Sequence, residues 1–169
     1  MVMASTIDIA EAQELSLKVG DNAPGFAAKT FGGEAIQLKD YQGKKNVILY
    51  FYPKDDTPGC TKEACSFRDN LERLINANTA VLGVSVDDVA SHEEFRDKYQ
   101  LNFDLVADTD HTIVKKYGVL KKAKNNRVVA SRVTFLIDKE GVIRHIWSPV
   151  KVDGHTDEVL DQIKVLKLS

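Results

Sequence analysis

Cysteine and histidine are scarce in this 169-residue chain, with two of the first and four of the second. A structural zinc site usually takes four such ligands at a recognisable spacing, and no pair here has one, so neither a metal nor another cofactor is expected. Four prolines and ten glycines are too few for a collagen-like or low-complexity chain. Charge of one sign is also missing. The 23 basic and 25 acidic residues leave a net charge of -2, which gives no electrostatic reason to expect nucleic acid or an anionic membrane as partner. Long hydrophobic runs are absent too. The densest, Val47-Ile48-Leu49-Tyr50-Phe51-Tyr52, is far short of the roughly 20 residues that span a bilayer. Residues 1–17 have no early basic cluster, and the acidic Asp8, Glu11 and Glu14 speak against a transit peptide. The chain reads as a cytoplasmic protein, in a compartment where a cysteine pair is more often catalytic than a permanent staple.

What remains is enough for one core. Residues 1–17 read as an extension, within which Ile9 to Leu17 has the pattern of a short helix, and residues 18–169 read as a single domain. Phe26 to Phe31, Gly32-Gly33 and Glu34 to Leu38 suggest an N-terminal β-hairpin. The run 46–52, stopped by Pro53, suggests a buried central strand. Beyond it the chain alternates. Ala64, Phe67, Leu71 and Leu74 set a helix over 60–76, and Ala80 to Val86 a second strand. Ser91 and Glu94 suggest a capping box opening a further helix. Leu105-Val106 reads as a short strand, followed by a helix capped by Asp110 and ending at Gly118. Val133, Phe135 and Ile137 alternate in a strand that turns at Asp138–Gly141 into Val142 to Trp147, and Val159, Leu160, Ile163 and Leu166 mark a last helix. The order argues for an α/β fold with a mixed central sheet flanked by helices, thioredoxin-like, with a flavodoxin-like sheet as runner-up. The late hairpin discriminates, because a purely parallel sheet would need a crossover helix there. The basic run Lys121 to Arg127 reads as a solvated loop.

The chemistry sits in residues 53–65, Pro-Lys-Asp-Asp-Thr-Pro-Gly-Cys-Thr-Lys-Glu-Ala-Cys. They follow a buried strand, where open α/β sheets tend to bind ligands. Pro58-Gly59 places Cys60 in a first helical turn, where unpaired N–H groups and the helix dipole favour a thiolate. Cys65, off the apolar stripe, is equally readable as a small buried residue. Asp55 and Asp56 read either as carboxylates opposing thiolate formation or as solvated turn residues.

Pro53-x-x-x-Thr57-x-x-Cys60 resembles the active-site pattern of the peroxiredoxins, and the stretch Phe51 to Cys65 resembles their bacterioferritin comigratory protein, or peroxiredoxin Q, subgroup. The similarity runs over roughly residues 18–167 and includes Arg132-Val133-Thr134-Phe135-Leu136-Ile137-Asp138. It implies a thioredoxin-like fold and reduction of hydrogen peroxide and organic hydroperoxides. Cys60 would be the nucleophile, oxidised to a sulfenic acid, and Cys65 the resolving thiol that closes an intramolecular disulfide. Thr57 would hydrogen-bond the peroxide, Pro53 would shield the sulfur, Arg132 would face both, and Glu63 would hold the arginine. Periodicity alone cannot choose Arg132 over Arg68, Arg73, Arg96, Arg127 or Arg144. Thioredoxin as reductant and a monomeric state are further implications of the resemblance.

Several residues are needed on energetic grounds. Full ionisation of an ordinary thiol gains only about thirtyfold at neutral pH, or roughly 2 kcal/mol, whereas enzymes typically supply about 8 kcal/mol or more. Two other readings stand beside the peroxidase. A thiol–disulfide oxidoreductase usually carries Cys-x-x-Cys, and this chain has four residues between its cysteines. A non-catalytic holdase or interaction module would leave both cysteines inert.

Overall fold

In the computed structural model, residues 15–169 are described. Helix is absent from 15–17, and the rest of the expected Ile9–Leu17 helix lies outside the described residues. Leu15 and Leu17 pack against the core. The apolar run forms β3 (Asn46–Phe51), buried along its whole length, so both its faces must be covered. Val47, Leu49 and Phe51 point into one apolar cluster, and Ile48, Tyr50 and the following Tyr52 into another. That is the period of two expected of a pleated strand.

The expected hairpin is present as β1 (Ala27–Lys29) and β2 (Ala35–Gln37), joined through a 3-10 turn at Phe31–Gly33. After β3 come α1 (Pro58–Asp69), α2 (Leu71–Asn76), β4 (Thr79–Ser85), α3 (Val89–Tyr99), β5 (Asp104–Ala107) and α4 (Thr112–Lys116). The chain continues through β6 (Leu120–Lys122), β7 (Val128–Ala130), β8 (Val133–Ile137), β9 (Ile143–Trp147) and α5 (His155–Val165). Seven strands form one mixed sheet in the order β2-β1-β5-β4-β3-β8-β9. β3, β4 and β5 run parallel, while β8 lies antiparallel to β3 and pairs with β9. This antiparallel half excludes the flavodoxin-like alternative. Residues from α1, α2, α3 and α5 fill the cluster on the Tyr50 face, and residues from β1, β2 and α4 lie in the other.

Four local expectations need correction. The helix over 60–76 breaks at Asn70, whose side chain donates to the Ser66 carbonyl at 2.8 Å while its backbone leaves helical geometry. Asp88, not Ser91, caps α3, accepting from the Ser91 N–H at 2.8 Å, which frees the Ser91 hydroxyl for another partner. The carboxylate of Asp108 accepts from the N–H groups of Ile113 and Val114 and so caps α4 from upstream of Asp110, which accepts from the Thr112 N–H. The basic run is also more ordered than a loop. Lys121 and Lys122 belong to β6, which pairs with β7 in a separate hairpin.

Gly83 on β4 sits directly opposite Tyr50. A Cβ there would lie 2.8 Å from the Tyr50 ring, so only glycine admits the tyrosine beneath α1. Tyr50 in turn stacks on Phe67 of α1 at 4.7 Å between centroids.

Candidate active site

β3 delivers the chain to its carboxyl end, where the Tyr52 N–H makes one more bond to the Val84 carbonyl at 3.1 Å. Pro53 then ends the strand pattern, since it has no N–H to give. Thr57 is the extended N-cap of α1, Pro58 takes the first helical position and Cys60 the third. The Thr57 hydroxyl donates to the Lys54 carbonyl at 2.9 Å, folding the turn over the helix start. Cys60 is 1% exposed.

Arg132, just before β8, reaches this thiol from the strand next to β3. β8 is registered against β3 with Val133 opposite Phe51, so the residue before Val133 falls beside the end of β3. Its Nη2 donates to Cys60 Sγ at 3.3 Å and its Nη1 to Glu63 Oε1 at 2.7 Å. Glu63 lies three residues beyond Cys60 on the same helical face, which is why one guanidinium fork can span both. Burial pushes the Glu63 carboxyl up to about 7, against the opposing pull of Arg132. Burial would by itself lower the arginine, but Cys60 and Glu63 beside it raise it above its ordinary value, so it stays a cation. Gly59 makes room for the fork. A Cβ there would stand 3.1 Å from Arg132 Nη2.

Cys65 is half-buried on α1, and both cysteines are free thiols. Five residues of unbroken helix separate the two Cα atoms by about 8–9 Å, and a disulfide needs roughly 4.4–6.8 Å. Pro53 and Lys54 line an open cleft with Lys121, Lys122, Arg127 and Val129 of the β6–β7 hairpin.

The structure thus brings Cys60, Glu63 and Arg132 into direct contact, with Thr57 and Pro53 in the turn above them. Reading the sequence missed a second, buried cluster beneath that turn. Asp55 is not a solvated turn residue. Its Oδ1 accepts from the Tyr52 hydroxyl at 2.6 Å, and its Oδ2 accepts from the Ser91 hydroxyl at 2.8 Å and lies 2.7 Å from His92 Nδ1. The Asp55 N–H donates to Asp87 Oδ2 at 2.8 Å, and that oxygen also takes the Ser85 hydroxyl. Asp56 is exposed but fixed, held by Lys98 Nζ at 2.8 Å and the Tyr99 hydroxyl at 2.7 Å. Ser91 and His92 carry no local signal, because only the parallel pairing of β3 with β4 sets α3 beside the turn.

Residues 19–146 match the AhpC/TSA family. That span includes the turn, the thiol and the arginine together.

The chain belongs to the AhpC/TSA family and is a peroxiredoxin.

Peroxiredoxin Bcp of Bacillus subtilis is 41% identical over 153 residues, covering 89% of this chain and 97% of that protein. Peroxiredoxin Bcp of Escherichia coli K12 is 41% identical over 151 residues, covering 88% and 96%. Among solved structures, a cysteine-to-serine mutant of Xylella fastidiosa PrxQ superposes with a TM-score of 0.84 at 35% identity over 89% of this chain and 98% of that one. The bacterioferritin comigratory protein of Xanthomonas campestris, described in terms of its alkyl peroxide reduction activity, gives 0.81 at 33% identity over 89% and 98%. The peroxiredoxin therefore has the thioredoxin-like fold and is a thiol peroxidase of the Bcp and PrxQ kind, taking a hydroperoxide as substrate and a thiol as reductant. The oxidoreductase and holdase readings give way to this assignment. Among the described residues no helix is long and apolar enough to cross a membrane.

Proposed function

We propose that Cys60 is the peroxidatic nucleophile of this peroxiredoxin and Cys65 its resolving thiol, with Thr57, Arg132 and Pro53 forming the peroxide site and Glu63 holding the arginine. The observation that carries this reading is the Arg132 fork, with one nitrogen on the Cys60 sulfur and the other on the buried Glu63 carboxylate. A charge-assisted donor fixed from behind can aim at charge that develops during the reaction. The Cys60 thiolate attacks one peroxide oxygen. An S–O bond forms, the O–O bond breaks, and the departing alkoxide or hydroxide takes up a proton. Sulfur is oxidised to sulfenic acid and the peroxide is reduced to alcohol or water. The Thr57 proton is already committed to Lys54, so its oxygen is free to accept the peroxide O–H. Pro53, half-buried at the end of the strand, closes the site on its apolar side.

Resolution follows from distance. Within intact α1 the cysteines are too far apart, so the first turns unwind before the Cys65 thiolate attacks the Cys60 sulfenic sulfur, forming the S–S bond as the S–O bond breaks and the hydroxide takes up a proton to leave as water. A dithiol protein of the thioredoxin class then takes up the disulfide and returns both thiols. The working unit is residues 18–169, with 1–17 as an extension, acting as a monomer in the cytoplasm. The resemblance of the 53–65 stretch supports these last points.

Intact mass and peptide mapping after one equivalent of hydrogen peroxide test the site. Cys60→Ser is expected to consume no peroxide. Cys65→Ser is expected to consume about one equivalent and stop at oxidised Cys60, and wild type to hold an intramolecular Cys60–Cys65 bond. Turnover by Cys60→Ser, or only intermolecular disulfides in wild type, would overturn the reading.

A further inference from the structure

His92 lies in the second turn of α3, outside the 53–65 segment, and its side chain has no exposed surface. Its two ring nitrogens face two acceptors. Nε2 is 3.0 Å from the Val106 carbonyl, which can only accept, so that nitrogen carries a hydrogen. Nδ1 is 2.7 Å from Asp55 Oδ2. With Nε2 already protonated, a hydrogen bond at Nδ1 requires one more proton on the pair, on the ring or on the carboxyl. Asp55 accepts from Tyr52 on one oxygen and from Ser91 on the other, the pattern of an ionised carboxylate. Donors to both oxygens stabilise the ionised carboxylate, which favours the proton on the ring and a buried imidazolium–carboxylate pair.

The groups facing this ring come from each neighbouring element. Asp55 and Asp87 approach from the loops after β3 and β4. The Tyr52 ring stands 6.5 Å away at the end of β3, and β5 contributes the Val106 carbonyl. The two carboxylates and the carbonyl hold the proton on His92, raising it above its ordinary value although burial works the other way.

We propose that His92 is a positioning residue of the peroxidase site, fixing the Asp55 carboxylate and through it the Pro53–Thr57 turn over Cys60. The mechanical route is short. Asp55 is two residues from both Pro53 and Thr57, and its side chain is pinned to α3 while its own N–H is pinned to Asp87. The next residue, Asp56, takes a left-handed backbone with φ 55° and is held to the same helix by Lys98 and Tyr99. α3 thus acts as a rigid rail, and His92 is its buried attachment point. Preorganisation of this kind matters because a misplacement of about 1 Å can cost on the order of a hundredfold in rate.

The proposal rests on the Cys60 site described above, and two substitutions separate positioning from packing. The amide nitrogen of His92→Asn replaces Nδ1, keeping a donor toward Asp55 and losing Val106. His92→Gln replaces Nε2, keeping Val106 and losing Asp55. The second-order rate with hydrogen peroxide is expected to fall at least tenfold in H92Q, and H92N is expected to retain at least fivefold more activity than H92Q. Alkylation of Cys60 by iodoacetamide, which needs no peroxide positioning, is expected to change less than threefold in both. Equal losses in the two variants, or an H92Q rate within threefold of wild type, would overturn the proposal. If H92Q does not fold, Asp55→Asn and Asp55→Ala replace the pair. The Asn amide can still donate to Nδ1 and the Ala methyl cannot, so Asn is expected to exceed Ala by at least fivefold, and equal rates would refute the role. Cys60→Ser run alongside keeps the two readings apart. If it stays active the Cys60 assignment fails, whereas an inactive C60S with silent His92 variants removes only the His92 proposal.

Discussion

Lowering the pH sets two buried groups against each other, Glu63 on α1 and His155, which packs against that helix. His155, 2% exposed at the start of α5, packs its ring edge-on against Phe67 of α1 at 5.9 Å and against Trp147 at 5.3 Å. Its Nε2 bonds to the Thr134 hydroxyl at 2.9 Å, and Nδ1 is without a hydrogen-bond partner. Burial lowers its pKa from 6.5 to about 4, so the folded state refuses a proton that the unfolded chain accepts. Its contribution is neutral above the unfolded value and becomes destabilising as pH falls from 6.5 toward about 4. At roughly 1.36 kcal/mol per pH unit, the loss between about pH 7 and pH 5 is about 2 kcal/mol. Glu63 runs the other way. Its folded value is raised to about 7 from 4.5, so its burial penalty is largest at high pH and fades as pH falls through that interval, by about 2 kcal/mol over the same two units. In wild type these two contributions therefore nearly cancel. The informative perturbation is His155→Gln, which removes one titration and leaves the other. Urea unfolding of both proteins at several pH values between about 7 and 5 is expected to show the variant gaining about 2 kcal/mol on wild type as pH falls. A difference that stays constant across that range would refute the buried neutral imidazole and with it the stated balance.

Three further outcomes are expected. Arg132→Met is expected to slow peroxide reduction on the order of a hundredfold, as loss of a charged transition-state donor does, and a near-normal stopped-flow rate would remove Arg132 from the site. Gly59→Ala adds a Cβ 3.1 Å from Arg132 Nη2, which is already fixed by Cys60 and Glu63, and also stiffens the helix start by about 0.5–1 kcal/mol. Both peroxide reduction and disulfide closure are expected to slow, measured by rapid-quench alkylation, and faster closure would contradict the unwinding step. Tyr50→Phe deletes a buried hydroxyl that has no hydrogen-bond partner, so chemical denaturation is expected to show no loss and up to about 1 kcal/mol of gain, and a loss of about 2 kcal/mol would reveal a partner.

Local patterns that repeat with a period, or that close within a few residues, were legible in the sequence. The apolar run 46–52, the Asp138–Gly141 turn and the stripe on α5 each bury one face or close one turn, and each lies where the pattern put it. The reactive segment was legible for the same reason, since Pro58, Gly59 and Cys60 interact with the local backbone at a helix start. The helix break at Asn70 and the caps at Asp88 and Asp108 turned on which of several capable side chains won a given N–H or carbonyl. Arg132 lies 72 residues from the cysteine it touches; periodicity left six arginines equal, the family resemblance pointed to Arg132, and the register of β8 against β3 brings it to the sulfur. His92 was further still from view. Its charge depends on two acceptors, one on a loop 37 residues away and one on β5, and no local pattern encodes the pair. The sequence by itself determined most of the elements and the place of Cys60 at a helix start, because those depend on near neighbours and on period. Only the tertiary structure decided which distant charges meet in the dry interior, because burial and pairing there are set by strand order and register.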